Sequence, residues 1–254
     1  MDILSLVRLM QFGDSMLPTG AFAFSSALEA AAQTGVVSDA RTLQQYVVSA
    51  LRQASTGDAV GLAFAMRVLA ADPVSSGGEV AEGTLTRLRN IDLALYRRKL
   101  PEEFRDMMTK TGCKLAELGA KTAPSPLLSR WLSQISTGST PGSYPVSLAV
   151  LFAATAFAGK PVRGADGREE EELLQEGLTV YFYGVAMGIL NASLRLMRVT
   201  HLDAQAVLYR SSEQFESLCR RALATPLEHM TGYAPMTEIL SAVHARSRVR
   251  LFMS

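Results

Sequence analysis

Residues 176–195 read Glu-Gly-Leu-Thr-Val-Tyr-Phe-Tyr-Gly-Val-Ala-Met-Gly-Ile-Leu-Asn-Ala-Ser-Leu-Arg, an apolar stretch with a charge at each end. A strand, a membrane span and a buried helix compete for it. Val180-Tyr181-Phe182-Tyr183 has the β-branched and aromatic composition of a strand, but no turn cluster bounds it on either side. By length the stretch approaches a bilayer span, which needs about 20 mostly apolar residues. Gly177, Thr179, Gly184, Gly188, Asn191 and Ser193 interrupt it. Upstream, Glu169 to Glu172 are all acidic, which suits a helix N-terminus, where the macrodipole favours negative charge. The reading is one long core helix, from about Glu169 to about Val199, and it sets an all-α fold.

The rest of the chain agrees. Between Asp39 and Ala54, apolar residues recur at three- and four-residue spacing (Leu43, Tyr46, Val47, Ala50, Leu51, Ala54). Other helices are expected at Ile3–Gly13, at Ser25–Gln33 with Ser25 as cap and Gly35 as stop, and at Ala59–Ala70. More follow around Leu85–Leu95, from Pro101 as a first-turn proline, at Leu127–Ile135 and at Pro145–Ala158. Asp203 is read as the cap of a helix that runs to Ala224, where Pro226 breaks it, and Met236 to Val243 form a last short helix. Ser75–Gly78 reads as a connector, Gly138–Ser143 as a polar loop and Gly164–Gly167 as a turn. With no fixed-period repeat and no alternating strand, the expectation is a single compact domain of about ten helices over 1–254, with a basic tail at 245–254.

Composition narrows the function. Of 254 residues, 48% are hydrophobic and 19% charged, which fits a large buried or partner-covered surface. A net charge of +1 provides no field to draw nucleic acid or an anionic membrane. The N-terminus lacks a basic-then-apolar leader pattern. Two cysteines, Cys113 and Cys219, make no disulfide framework and suit a reducing, cytoplasmic compartment. The sole Gly-Lys pair, Gly159-Lys160, is followed by Pro161, so no phosphate-binding P-loop is present. His201, His229 and His244 have no second His or Cys at helical spacing, so no metal site is expected from this chain. No nucleophile elbow or local Cys/His pair occurs. Glu102, Glu103 and Asp106 share a helix with Arg97, Arg98, Lys99 and Arg105 and read as a solvated face. A small-molecule site lined by Tyr181, Tyr183 and Met187 is the alternative.

Two terminal features stand apart. Leu17-Pro18-Thr19-Gly20-Ala21-Phe22-Ala23-Phe24-Ser25 is a Pro/Gly bend that runs into an uncharged block, and its two Phe rings are expected to plug the core. At the other end, no acid follows Glu238, while His244, Arg246, Arg248 and Arg250 precede Leu251-Phe252. A solvated terminus is one reading, and a docking segment that orders on binding is the other.

Taken together, these stretches resemble the urease accessory protein UreF family. The opening loop from Asp14 to Ser25, followed by Leu28-Glu29, is similar to the family's Leu-Pro-x-Gly-(Ala/Gly)-Phe/Tyr signature. Leu100 to Arg105 with Gly112, Tyr144-Pro145-Val146, and the apolar helix that ends in Arg195 also fit. So does the closing segment: Ala234-Pro235, Glu238-Ile239, Ser241-Ala242, His244 and Arg250-Leu251-Phe252 to Ser254. The tail departs from the family at Val243, Ala245 and Arg248, and the turn after Arg195 departs at Arg198, Thr200 and His201. The resemblance implies a non-enzymatic, all-helical, cytoplasmic homodimer with no catalytic or metal residues of its own. Its partners would be an accessory protein (UreD, also called UreH), the GTPase UreG and apo-urease, with nickel and GTP handled by the wider complex. The implied partner contacts are Glu29, Arg195, His244, Arg250, Leu251 and Phe252. Leu17, Pro18, Gly20, Phe22 and Phe24 form the structural signature.

Overall fold

The computed structural model describes residues 2–72, 80–158, 168–232, 234–247 and 250–253. The connector expected at Ser75–Gly78 and the turn expected at Gly164–Gly167 lie outside these residues. The described residues form twelve α-helices and no strand. They are α1 (Ile3–Gly13), α2 (Leu28–Gln33), α3 (Ala40–Thr56), α4 (Asp58–Ala71), α5 (Glu82–Arg98) and α6 (Glu102–Thr122), then α7 (Pro126–Ser136), α8 (Tyr144–Ala154), α9 (Arg168–Leu196), α10 (His201–Ser212), α11 (Phe215–Ala224) and α12 (Pro235–Ala245). Short 3-10 turns occupy Ala21–Ala23 and Leu227–His229.

Local chemistry accounts for several of the helix starts. The Asp39 carboxylate accepts the Thr42 N–H at 2.7 Å, and Thr42 reaches back to complete a capping box at the head of α3. Ser125 caps α7, with Pro126 in the first turn. The cap of α10 is Thr200, one turn before the expected Asp203, which completes its capping box from the third position. Ser25 is likewise not the cap of α2: Ala27 holds that place, while the Ser25 hydroxyl accepts the Glu29 N–H at 3.3 Å. The single helix expected from Asp203 to Ala224 is two. Glu213 and Gln214 keep right-handed helical dihedrals, so the chain bends there without the glycine or proline that would announce a turn.

The long apolar stretch is α9, packed against α1, α2, α3, α4, α8, α10 and α11. It is long and apolar enough to cross a membrane, and half of its apolar window is buried inside the protein. Helix α8 is buried on every side from Val146 to Phe152, as expected of a helix with no polar face. Its start is held by a buried carboxylate: Asp92 of α5 accepts the Thr140 hydroxyl at 2.6 Å and the N–H groups of Gly142 and Ser143 at 2.7 and 2.8 Å. That loop lies so close to α6 that a Cβ on Gly112 would sit 2.2 Å from the Gly142 carbonyl oxygen. Trp131 of α7, fully buried, donates to the Ser147 hydroxyl at 3.0 Å. The buried apolar side chains form one cluster that runs from Leu9 to Phe252, so the C-terminal tail contributes to the core.

Candidate tail-docking site

The site begins at the loop before α2. Gly20 takes a left-handed φ of 81°, and two further residues with side chains, Ser26 and Ala27, also have positive φ (54° and 62°). Such backbone is unfavourable for non-glycine residues and persists only when its surroundings hold it. Here the Tyr46 hydroxyl donates to the Ser26 carbonyl at 2.7 Å, and Ala27 is fully buried. This contorted turn puts Glu29 in the first turn of α2, inside the protein and 1% exposed.

Burial alone pushes the Glu29 carboxyl up. The hydrogen bonds it accepts from the Leu251 N–H, from His244 and from the Phe252 N–H outweigh that, and with the His244 charge they hold it below its ordinary 4.5. The Leu251 and Phe252 N–H groups lie 2.8 and 3.0 Å from its two oxygens. His244, on α12 and fully buried, bridges two acids: Nε2 is 3.0 Å from Glu29 Oε2, and Nδ1 is 3.0 Å from Glu103 Oε1 at the head of α6. Ser241 donates to Glu103 at 3.3 Å, and Arg250 pairs with it at 3.4 Å. The tail is fixed at three further points. The Met253 N–H donates to the Ala23 carbonyl at 2.7 Å, the Ser247 hydroxyl donates to Gln33 at 3.2 Å, and the Arg195 guanidinium stacks 4.5 Å over the Phe252 ring.

Glu29, Arg195, His244, Arg250, Leu251 and Phe252 therefore meet in one place, each in contact with this chain's own tail or its receptor groove. The Leu-Phe pair divides: Phe252 is buried, while Leu251 is 62% exposed. Arg195 covers Phe252 rather than the helix carbonyls expected from its position near the end of α9. In the opening loop, Leu17 is half-buried against the core, Pro18 is exposed and Phe24 is buried. Phe22, expected to plug the core with Phe24, is instead 76% exposed. The Ala21–Ala23 turn is a 3-10 helix, which has three residues per turn, so side chains two apart diverge.

Glu103 was missed. Its neighbours are charged and it read as solvated, yet its side chain is only 12% exposed. The available signal was its place one and two helical turns before Met107, which packs on the core, and Thr111, which is buried.

A groove of about 550 Å³ lies beside the tail, lined by Leu100, Glu102, Glu103, Glu238, Arg250 and Met253 among others. A second, of about 700 Å³, lies around Tyr96, Cys113 and Pro141. Tyr181, Tyr183 and Met187 line neither. Tyr181 is buried with its hydroxyl 3.2 Å from Asp58, an acid paired with Lys99 at 2.8 Å. Burial and the Asp58 charge push the Tyr181 phenol well up, whereas Tyr183 faces outward at 39% exposure. Among the described residues, no group of three or more His, Cys, Asp or Glu side chains is arranged to hold a metal ion.

The fold and site define an all-helical protein whose most elaborately bonded polar centre ties its own C-terminus to its N-terminal loop. Sequence comparison gives that class a family. Over 252 residues, 99% of each chain, it is 41% identical to the urease accessory protein UreF of Yersinia enterocolitica serotype O:8 / biotype 1B (strain NCTC 13174 / 8081). It is 40% identical over the same span to those of Yersinia pestis (strain Pestoides F) and Yersinia pseudotuberculosis serotype IB (strain PB1/+). The UreF family model matches residues 37–161. The chain belongs to the UreF family of urease accessory proteins, and the full-length relatives extend the match across both ends that build the tail site.

Proposed function

We propose that this chain is a non-enzymatic scaffold that binds a UreD/UreH-type accessory protein and a UreG-type GTPase for GTP-dependent nickel insertion into apo-urease. In this reading it works in the cytoplasm as a homodimer. Nickel is the cargo and GTP the fuel of the wider complex, and this chain binds neither. The observation that carries the reading is the docked tail. It brings the opening loop and the C-terminus together, and it leaves Phe22, Leu251 and Met253 exposed at 76%, 62% and 53% around the Ala23–Met253 hydrogen bond. Exposed apolar side chains close together along the docked segments favour a protein partner.

The test is co-purification with urease and its accessory proteins, scored by nickel-dependent urease activation. Removal of residues 245–254 is expected to abolish capture of the UreD/UreH-type partner and to leave the helical circular dichroism nearly unchanged. Undiminished capture would remove the tail from the binding surface. Urease activation that does not depend on this chain would overturn the scaffold role itself.

A further inference from the structure

The Glu29–His244–Glu103 bridge has a requirement that its distances impose. A neutral imidazole donates from one ring nitrogen and accepts at the other, whereas an ionised carboxylate only accepts. Both nitrogens of His244 lie 3.0 Å from carboxylate oxygens, so both must donate. A proton on either acid is an unfavourable substitute, because all four carboxylate oxygens already have other donors. Those on Glu29 take the Leu251 and Phe252 N–H groups, and those on Glu103 take Arg250 and Ser241. We propose that His244 is a buried imidazolium and that the C-terminal tail is a proton-dependent latch, closed when His244 carries its second proton and released when it loses it.

The charges around the bridge favour this state. Glu29 faces His244 from α2, Glu103 from α6, and Arg250 pairs with Glu103 from the tail, so imidazolium and guanidinium balance two carboxylates. Farther along the groove, Glu102 and Asp106 of α6 and Glu238 of α12 add negative charge, and Lys110, paired with Asp106, adds one positive. Loss of the His244 proton leaves one nitrogen lone pair against a carboxylate on a ring that is itself fully buried. The acid so exposed is either Glu103, which positions the Arg250 end of the tail, or Glu29, which holds two of its N–H groups. Either loss weakens the hold on the segment that carries Phe252. Because closure binds a proton, rising pH opens the latch by linkage.

The experiment uses the full, isotope-labelled chain. Ring-nitrogen NMR of His244 is followed alongside hydrogen exchange at the Leu251 and Phe252 amides, with exchange corrected for its intrinsic pH dependence. The closed state is expected to show both ring nitrogens protonated. As pH rises through the loss of that proton, protection at the two tail amides falls by up to about ten-fold per pH unit, while amides within α3 hold their protection. Glu103→Gln supplies Nδ1 with a donor, so a neutral His244 is satisfied on both sides and tail protection becomes flat over the same range. A neutral ring in the docked state, pH-independent protection in the parent chain, or a persistent drop in E103Q would each overturn the proposal. The NMR reading on the parent chain decides alone if the variant does not fold.

Discussion

At the scale of single residues, Glu29 stands out because a buried carboxylate serves four donors, Gln33 on its own helix and His244, Leu251 and Phe252 from the C-terminal end. Its carboxyl is held below 4.5, so the unfolded or undocked chain takes up a proton first as the medium is acidified. That sign means Glu29 stabilises docking above its ordinary pKa, and the contribution disappears as pH falls through the lowered one. Exchange at the Leu251 and Phe252 amides is therefore expected to accelerate below about pH 4.5, before global unfolding is seen by circular dichroism. Glu29→Gln removes the charge but keeps the shape. It is expected to release the same two amides at neutral pH and to cost about 1.5–3 kcal/mol, the range for hydrogen bonds to a charged group, read as a lower midpoint in urea. Little of this was legible in sequence. Glu29 drew notice as the first acid beyond the loop, but nothing in Glu29, Glu103 and His244, separated by 74 and 141 residues, states that they meet. Only the matching of both chain ends to one family grouped Glu29 with the tail.

At the scale of elements, legibility followed the local chemistry. Asp39 and Pro101 announced helix starts because each acts on its own few residues, although Pro101 stands at the N-cap of α6 and not inside its first turn as expected. The bend between α10 and α11 was invisible because its residues keep helical dihedrals and obey packing rather than propensity. Packing also decides which glycines matter. At Gly112 a Cβ would meet the Gly142 oxygen at 2.2 Å and the Ser143 carbonyl carbon at 2.4 Å, both backbone atoms that the Asp92 hydrogen bonds pin in place. Gly112→Ala is expected to cost about 3 kcal/mol, which in a chain of this size lowers the melting temperature by roughly 6–12 °C. At Gly188, on the exposed side of α9, nothing lies within 4 Å of the added Cβ. There Gly188→Ala gains about 1 kcal/mol of helix propensity and is expected to raise the melting temperature by roughly 2–4 °C. Thermal circular dichroism on the pair, side by side, tests whether contact or propensity governs each site.

At the scale of the whole molecule, the tail closes the chain on itself, and this makes its energetics bounded. Burial of the Phe252 ring is worth about 1.5–3 kcal/mol, and the Arg195 stacking adds about 0.5–2 kcal/mol. Neither loss can exceed the free energy that holds the tail in place, because a sufficiently weakened tail undocks and the helices behind it remain. The losses from Phe252→Ala and Arg195→Ala should therefore fail to sum, and neither should exceed the loss from deletion of residues 246–254. The double variant Phe252→Ala/Arg195→Ala is expected to melt within error of Phe252→Ala alone, an interaction energy of about 0.5–2 kcal/mol by double-mutant cycle. The truncated chain should set the floor for both. Strict additivity would mean that Arg195 and Phe252 act through separate structures despite their 4.5 Å stacking, and that the tail does not dock as a unit. The ordering in solution should follow the ordering of contacts. Exchange at residues 20–30 is expected to rise in all three variants, because Ala23 and Glu29 lose their partners in the tail, while α8, buried on every side, keeps its protection.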